Sequence, residues 1–166
     1  MDSPTRKRWH SREESGLRLD RNGRWWHDDQ PVEHPRIVEA FNRGLVPSED
    51  GRFRLQFGGD WCFVEVEDAA YWVVQLHPTA DDQILLQLTD RTSEALQPDT
   101  LRLDPLGVLC CMVKEGLAKA RFSKEAQFAL GSLLEETHGE VVLVVGQRRV
   151  PVPFRIPSEE EDATRR

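Results

Sequence analysis

Cysteine is scarce in this chain. Its 166 residues hold three, Cys62, Cys110 and Cys111, an odd number without a Cys-x-x-Cys spacing. That excludes a disulfide scaffold and a zinc ribbon and leaves them as reduced core thiols. Long apolar runs are absent too: none approaches the about 18–20 residues of a spanning helix, so no membrane span is expected. The opening residues Met1-Asp2-Ser3-Pro4-Thr5-Arg6-Lys7-Arg8 lack the apolar stretch of a secretion signal, and the reading is a cytoplasmic protein. Basic charge is in deficit, with 22 Lys and Arg against 29 Asp and Glu and a net charge of −7. A nucleic-acid binder needs a clustered basic surface. The one basic cluster, Arg6-Lys7-Arg8, stands near Asp2, Glu13 and Glu14, so nucleic acid is not an expected partner.

The glycine motifs of nucleotide chemistry are also missing. Gly58-Gly59 and Gly139 stand alone, without the GxGxxG or GxxxxGK[ST] loops that cradle phosphates. No GxSxG elbow presents a nucleophile. Cys110 and Cys111 adjoin in a strand-like run and must project to opposite faces, so at most one could line a site.

What is present is an apolar and aromatic complement: 39% hydrophobic residues, with five Trp and seven Phe, too rich for disorder. The 31% of charged residues suits a chain that folds in water. Its length fits one compact domain or two closely packed lobes. The expected organisation is a disordered charged tail over 1–15, an N-terminal lobe over 16–70, a C-terminal lobe over 71–156 and a disordered acidic tail over 157–166.

Arg21-Asn22-Gly23 between two strand-like runs signals a hairpin, and Asp28-Asp29-Gln30-Pro31 a second turn. Pro35 suits the first turn of a helix, and Ile37, Val38, Phe41 and Leu45 recur at helical spacing, predicting a helix over 35–45. Phe53, Leu55 and Phe57 alternate with polar residues before Gly58-Gly59 and a strand over 61–66. Strands follow over 71–76 and 83–88, then a loop over 90–100, then strands over 101–103, 108–113 and 117–122. Ser123 is placed to cap a helix over 124–137 with an apolar stripe of Ala126, Ala129, Leu130, Leu133 and Leu134, ended by His138-Gly139. A hairpin over 141–154 completes the chain. The order hairpin, helix, hairpin, met before 70 and again from Val108 to Phe154, suggests a duplicated lobe. Strands and helices that do not alternate one for one predict an α+β fold of mainly antiparallel strands in two packed lobes, each with one helix.

Two constellations could carry function. His27, Asp28, Asp29, Glu33 and His34 lie within eight positions, and His27, Asp29 and His34 could supply metal ligands for a hydrolase. A polar turn between strand and helix explains the same residues with ordinary chemistry. Trp25 and Trp26 are strand neighbours, so one faces the core and the other the surface. An exposed Trp beside His27, joined by Trp61 or Trp72, makes an apolar recognition platform with a polar handle. Asp68, after Val64-Glu65-Val66-Glu67, could bind a ligand or fix a turn through nearby backbone N–H groups.

The run Gly23-Arg24-Trp25-Trp26-His27, then Pro31-Val32, Pro35 and Phe41, followed by Trp61-Cys62-Phe63-Val64-Glu65-Val66-Glu67-Asp68-Ala69, resembles the bacterial domain-of-unknown-function 1285 family. Gly116-Leu117 to Phe122, its helix and the hairpin ending Val150-Pro151-Val152 fit the same layout, so the resemblance covers about residues 16–154. It departs at Ala70, where proline is expected, and in a compressed segment over 83–106. The resemblance implies a two-lobed α+β fold loosely like pleckstrin-homology barrels, no settled activity, and a signalling or ligand-sensing role. Together these readings favour a non-enzymatic module that needs no cofactor. It holds a small apolar or amphiphilic molecule, or a peptide, in a cleft between lobes, with Trp25, Trp26, His27, Trp61 and Asp68 as candidates. The alternatives are a protein-interaction adaptor using exposed strand edges and the metal-dependent hydrolase.

Overall fold

The computed structural model describes residues 11–154. Most of the expected tails, and with them Arg6-Lys7-Arg8, lie outside the described residues. The chain divides into two compact units, 1–70 and 71–166.

In the first unit six strands form one sheet: β1 (Leu17–Leu19), β2 (Trp25–His27), β3 (Gln30–Pro31), β4 (Leu45–Pro47), β5 (Phe53–Phe57) and β6 (Asp60–Val66), in the order β3-β2-β1-β6-β5-β4. Neighbours are antiparallel except β1 and β6, which run parallel with Arg18 opposite Glu65 and Leu19 opposite Val66. The Asn22-Gly23 signal makes its hairpin with glycine taking the left-handed position, φ 81° at Gly23, as in a type I turn closed by a glycine bulge. The second turn is tighter than its four-residue reading. Asp28 and Asp29 alone form it, with φ 47° and 63°, and Gln30 and Pro31 already pair with β2.

Helix α1 (Pro35–Gly44) starts with Pro35 as expected and packs on β5. None of its residues is fully buried. Its last residue is glycine because a Cβ there would sit 3.0 Å from the Gln56 carbonyl oxygen and 3.3 Å from Leu55 and Phe57 side-chain atoms. Residues 11–15, expected as tail, are tied to β6: the Phe63 N–H donates to the Arg12 carbonyl at 2.8 Å, and the Ser15 hydroxyl to the Phe63 carbonyl at 2.5 Å.

The second unit repeats the same topology. Strands β7 (Tyr71–Pro78), β8 (Ile84–Leu88), β9 (Ser93–Ala95), β10 (Arg102–Leu103), β11 (Leu109–Val113) and β12 (Ala118–Phe122) lie in the order β9-β8-β7-β12-β11-β10. Again two three-stranded meanders are joined by a parallel pair, first strand to sixth, here with Tyr71 opposite Ala120 and Val73 opposite Phe122. A 3₁₀ turn (Pro98–Thr100) occupies the place of α1. The repeat therefore begins at Tyr71 and not at Val108, and the expected loop over 90–100 contains β9 and that turn.

Ser123 caps helix α2 (Lys124–Gly131), its hydroxyl accepting from the Ala126 N–H at 3.1 Å. The helix is six residues shorter than the predicted span, 131 against 137 at its end. Leu134–Thr137 is instead strand β13, which pairs antiparallel with β14 (Glu140–Val145), itself paired with β15 (Arg148–Pro151). Glycine at 131 weakens the helix by about 1 kcal/mol relative to alanine. His138 and Gly139, with φ 52° and 78°, form the two-residue turn of a hairpin and not a helix end.

Among the described residues the architecture is α+β, with two helices, two six-stranded sheets joining antiparallel runs through one parallel pair each, and a small third sheet. No helix among the described residues is long and apolar enough to cross a membrane.

Candidate functional site

The five tryptophan, histidine and aspartate candidates separate once the strands are in place. Trp25 faces inward and is 1% exposed. Its indole N–H donates to Asn42 at 2.8 Å, and its ring meets Phe41 edge-on at 5.2 Å. It is a core residue with no access to a ligand. Trp26, on the opposite face, is half-buried and donates to Asp20 at 2.9 Å, with the Arg18 guanidinium 5.2 Å from its ring. Asp68 lies in the connection after β6.

His27 and Trp61 both line a groove of about 590 Å³ within the first unit. Its apolar lining is Leu17, Val32, Ile37, Phe41, Leu55 and Phe57, from β1, the α1 approach, α1 and β5. Ile37 and Phe57, both in this lining, are 44% and 46% exposed. A run of rings leads from the core to this opening: Trp25 to Phe41 at 5.2 Å, then Phe41 to Phe57 at 6.1 Å. Phe57 was legible as part of an alternating strand. Its role as a wall was not, because it depends on where α1 ends over β5.

The polar lining is Ser11, Arg12, Ser15, His27, Asp60 and Cys62. Burial pushes the Cys62 thiol above its ordinary pKa, against a hydrogen bond with Ser15 that works the other way. Such a thiol is a poor nucleophile at neutral pH. Trp61 packs edge-on against Phe63 at 5.2 Å. Two guanidinium groups lie over its ring, Arg54 at 4.5 Å and Arg12 at 5.0 Å.

A second hollow of similar volume, lined in part by Trp26, Asp28, Asp29, Arg18 and Arg52, is rich in carboxylates. The metal reading loses its ligand set here. Asp29 faces this hollow, and His34 caps α1, its Nδ1 accepting from the Arg36 N–H at 3.3 Å. Among the described residues no group of three or more His, Cys, Asp or Glu is placed to hold a metal ion.

Two solved structures share this fold. One is a DUF1285 family protein from Silicibacter pomeroyi DSS-3, with TM-score 0.64 and 19% identity, covering 91% of this chain and 83% of that one. The other is a DUF1285 family protein from Shewanella baltica OS155, with TM-score 0.55 and 12% identity, covering 71% of this chain and 91% of that one. The resemblance to that family therefore holds at the level of fold. No family model matches the sequence, and no curated protein matches it.

Proposed function

We propose that the chain is a non-enzymatic binding module whose first unit takes a small molecule with an apolar body in the groove between α1 and β5. The observation that carries this is the pair Ile37 and Phe57, left open to solvent over a floor of Phe41 and buried Leu55. Leaving such groups wet costs about 25 cal/mol per Å² of apolar surface, and a ligand covering them recovers it. Pockets of this size, mostly apolar with a few convergent polar groups, are the usual form of small-molecule sites. Burial pushes the Cys62 thiol of the groove up, and among the described residues no group of three or more His, Cys, Asp or Glu is placed to hold a metal ion. The adaptor reading finds weaker support in this unit, because both sheet edges are short and proline-bearing: β3 ends at Pro31 and β4 at Pro47.

The test is calorimetric titration with decan-1-ol. Binding is expected, with affinity falling about tenfold in Phe57→Ala and less in Ile37→Ala, while far-ultraviolet circular dichroism stays unchanged. Equal affinity in wild type and Phe57→Ala would place the ligand elsewhere and sink this reading.

A further inference from the structure

We infer that the groove has an occupant of its own, the side chain of Trp9, and that a ligand enters by displacing the chain's first ten residues. This rests on the groove being a ligand site and adds what controls access to it. Residues 1–10 lie outside the described residues, but the point where they join is fixed. Ser11 and Arg12, the first two described residues, both line the groove. They are held there through β6: the Phe63 N–H donates to the Arg12 carbonyl at 2.8 Å, and the Ser15 hydroxyl to the Phe63 carbonyl.

Trp9 stands two residues ahead of Ser11, and two residues span at most about 7 Å. Its indole is therefore tethered within reach of the apolar lining. From Ser3 to Glu14 it is the one large apolar side chain, set between Arg6-Lys7-Arg8 and His10. Ile37 and Phe57, open to solvent beside Phe41, offer the ring an apolar contact that its polar chain neighbours cannot. A short tether holds a group at an effective concentration of about millimolar, so even a weak contact fills its site. Charge acts in the same direction. Residues 1–10 carry three basic side chains against Asp2, while residues 11–70 carry 13 Asp and Glu against 8 Lys and Arg, so the segment and the unit attract. Trp9 also precedes β1, and displacing it breaks none of the described strand pairs. The first ten residues are thus a competitor that a ligand can remove without opening the sheet.

The experiment uses the full chain labelled with 5-fluorotryptophan. Its five tryptophans give five fluorine resonances, and Trp9→Phe identifies the one that belongs to Trp9. Phe57→Ala is expected to shift that resonance, with the Trp72 resonance of the second unit unchanged, and decan-1-ol is expected to move it in the wild type. By calorimetry Trp9→Ala should bind decan-1-ol about tenfold more tightly than the wild type, as follows where the groove stands open about a tenth of the time. A Trp9 resonance that ignores Phe57→Ala overturns the inference. Equal or weaker decan-1-ol binding in Trp9→Ala also overturns it, and leaves the groove standing if Phe57→Ala still weakens the alcohol. A Trp9 resonance that answers to Phe57→Ala while neither protein binds decan-1-ol supports Trp9 as the occupant and overturns the ligand reading alone.

Discussion

Asp20 shows how a single side chain can organise its surroundings without being a site. One carboxylate oxygen accepts from the Asn22 and Arg24 N–H groups at 2.9 Å each, and the other from the Trp26 indole at 2.9 Å. Burial alone would raise its pKa. The hydrogen bonds from Arg24, Trp26 and Asn22, with the charge of Arg18, outweigh that and hold it below the ordinary 3.8. A depressed pKa in the folded state means that the ionised carboxylate stabilises the fold above the ordinary value, and that this is lost as pH falls through the folded-state value. Asp20→Asn keeps an acceptor for the turn but cannot also accept from the indole. It should cost about 1–2 kcal/mol near neutral pH in urea unfolding, and the gap to wild type should narrow below pH 3.8. A gap that widens with acid would contradict the assignment. The opposite facing of Trp25 and Trp26 was legible from strand alternation. Which of them is core was not, since that depends on Asn42 and Phe41 arriving from α1.

At the scale of elements, starts were easier to read than ends. Pro35 and Ser123 open their helices where local chemistry places them, through a fixed φ and a side-chain acceptor. Ser123→Ala should lower stability by about 1 kcal/mol while Ser123→Asp retains it, measured by thermal unfolding, and equal losses in both variants would remove the cap from the account. The end of α2 was misread because Leu133 and Leu134 continue a helical stripe, whereas the chain commits Leu134–Thr137 to a strand beside the apolar β14. A helical period and a short strand cannot be told apart over four residues when the deciding partner comes later in the chain. The turn residues carried the missing hint: His138-Gly139 suits a two-residue hairpin loop as well as a helix end.

At the scale of the whole molecule, two units each carry a six-stranded sheet of the same topology, the second adding a small third sheet, and the three thiols report on both units. Cys62 is half-buried in the first unit, while Cys110 and Cys111 are buried in the second. The Cys111 thiol is pushed up to about 12 by burial, with Cys110 and Glu94 adding to it. Titration with a disulfide reagent should therefore label one thiol slowly in the native protein and three after denaturation, and fast labelling of two or more would contradict this burial. The sequence by itself determined the α+β class, the antiparallel hairpins and both helix starts, because propensity, capping and alternation act over a few neighbouring residues. Only the tertiary structure decided the parallel pairing of β1 with β6 and β7 with β12, and hence where the repeat begins. It alone also decided which apolar side chains line the groove. Those outcomes rest on contacts between residues some fifty positions apart, as between Leu19 and Val66, and no local pattern encodes them.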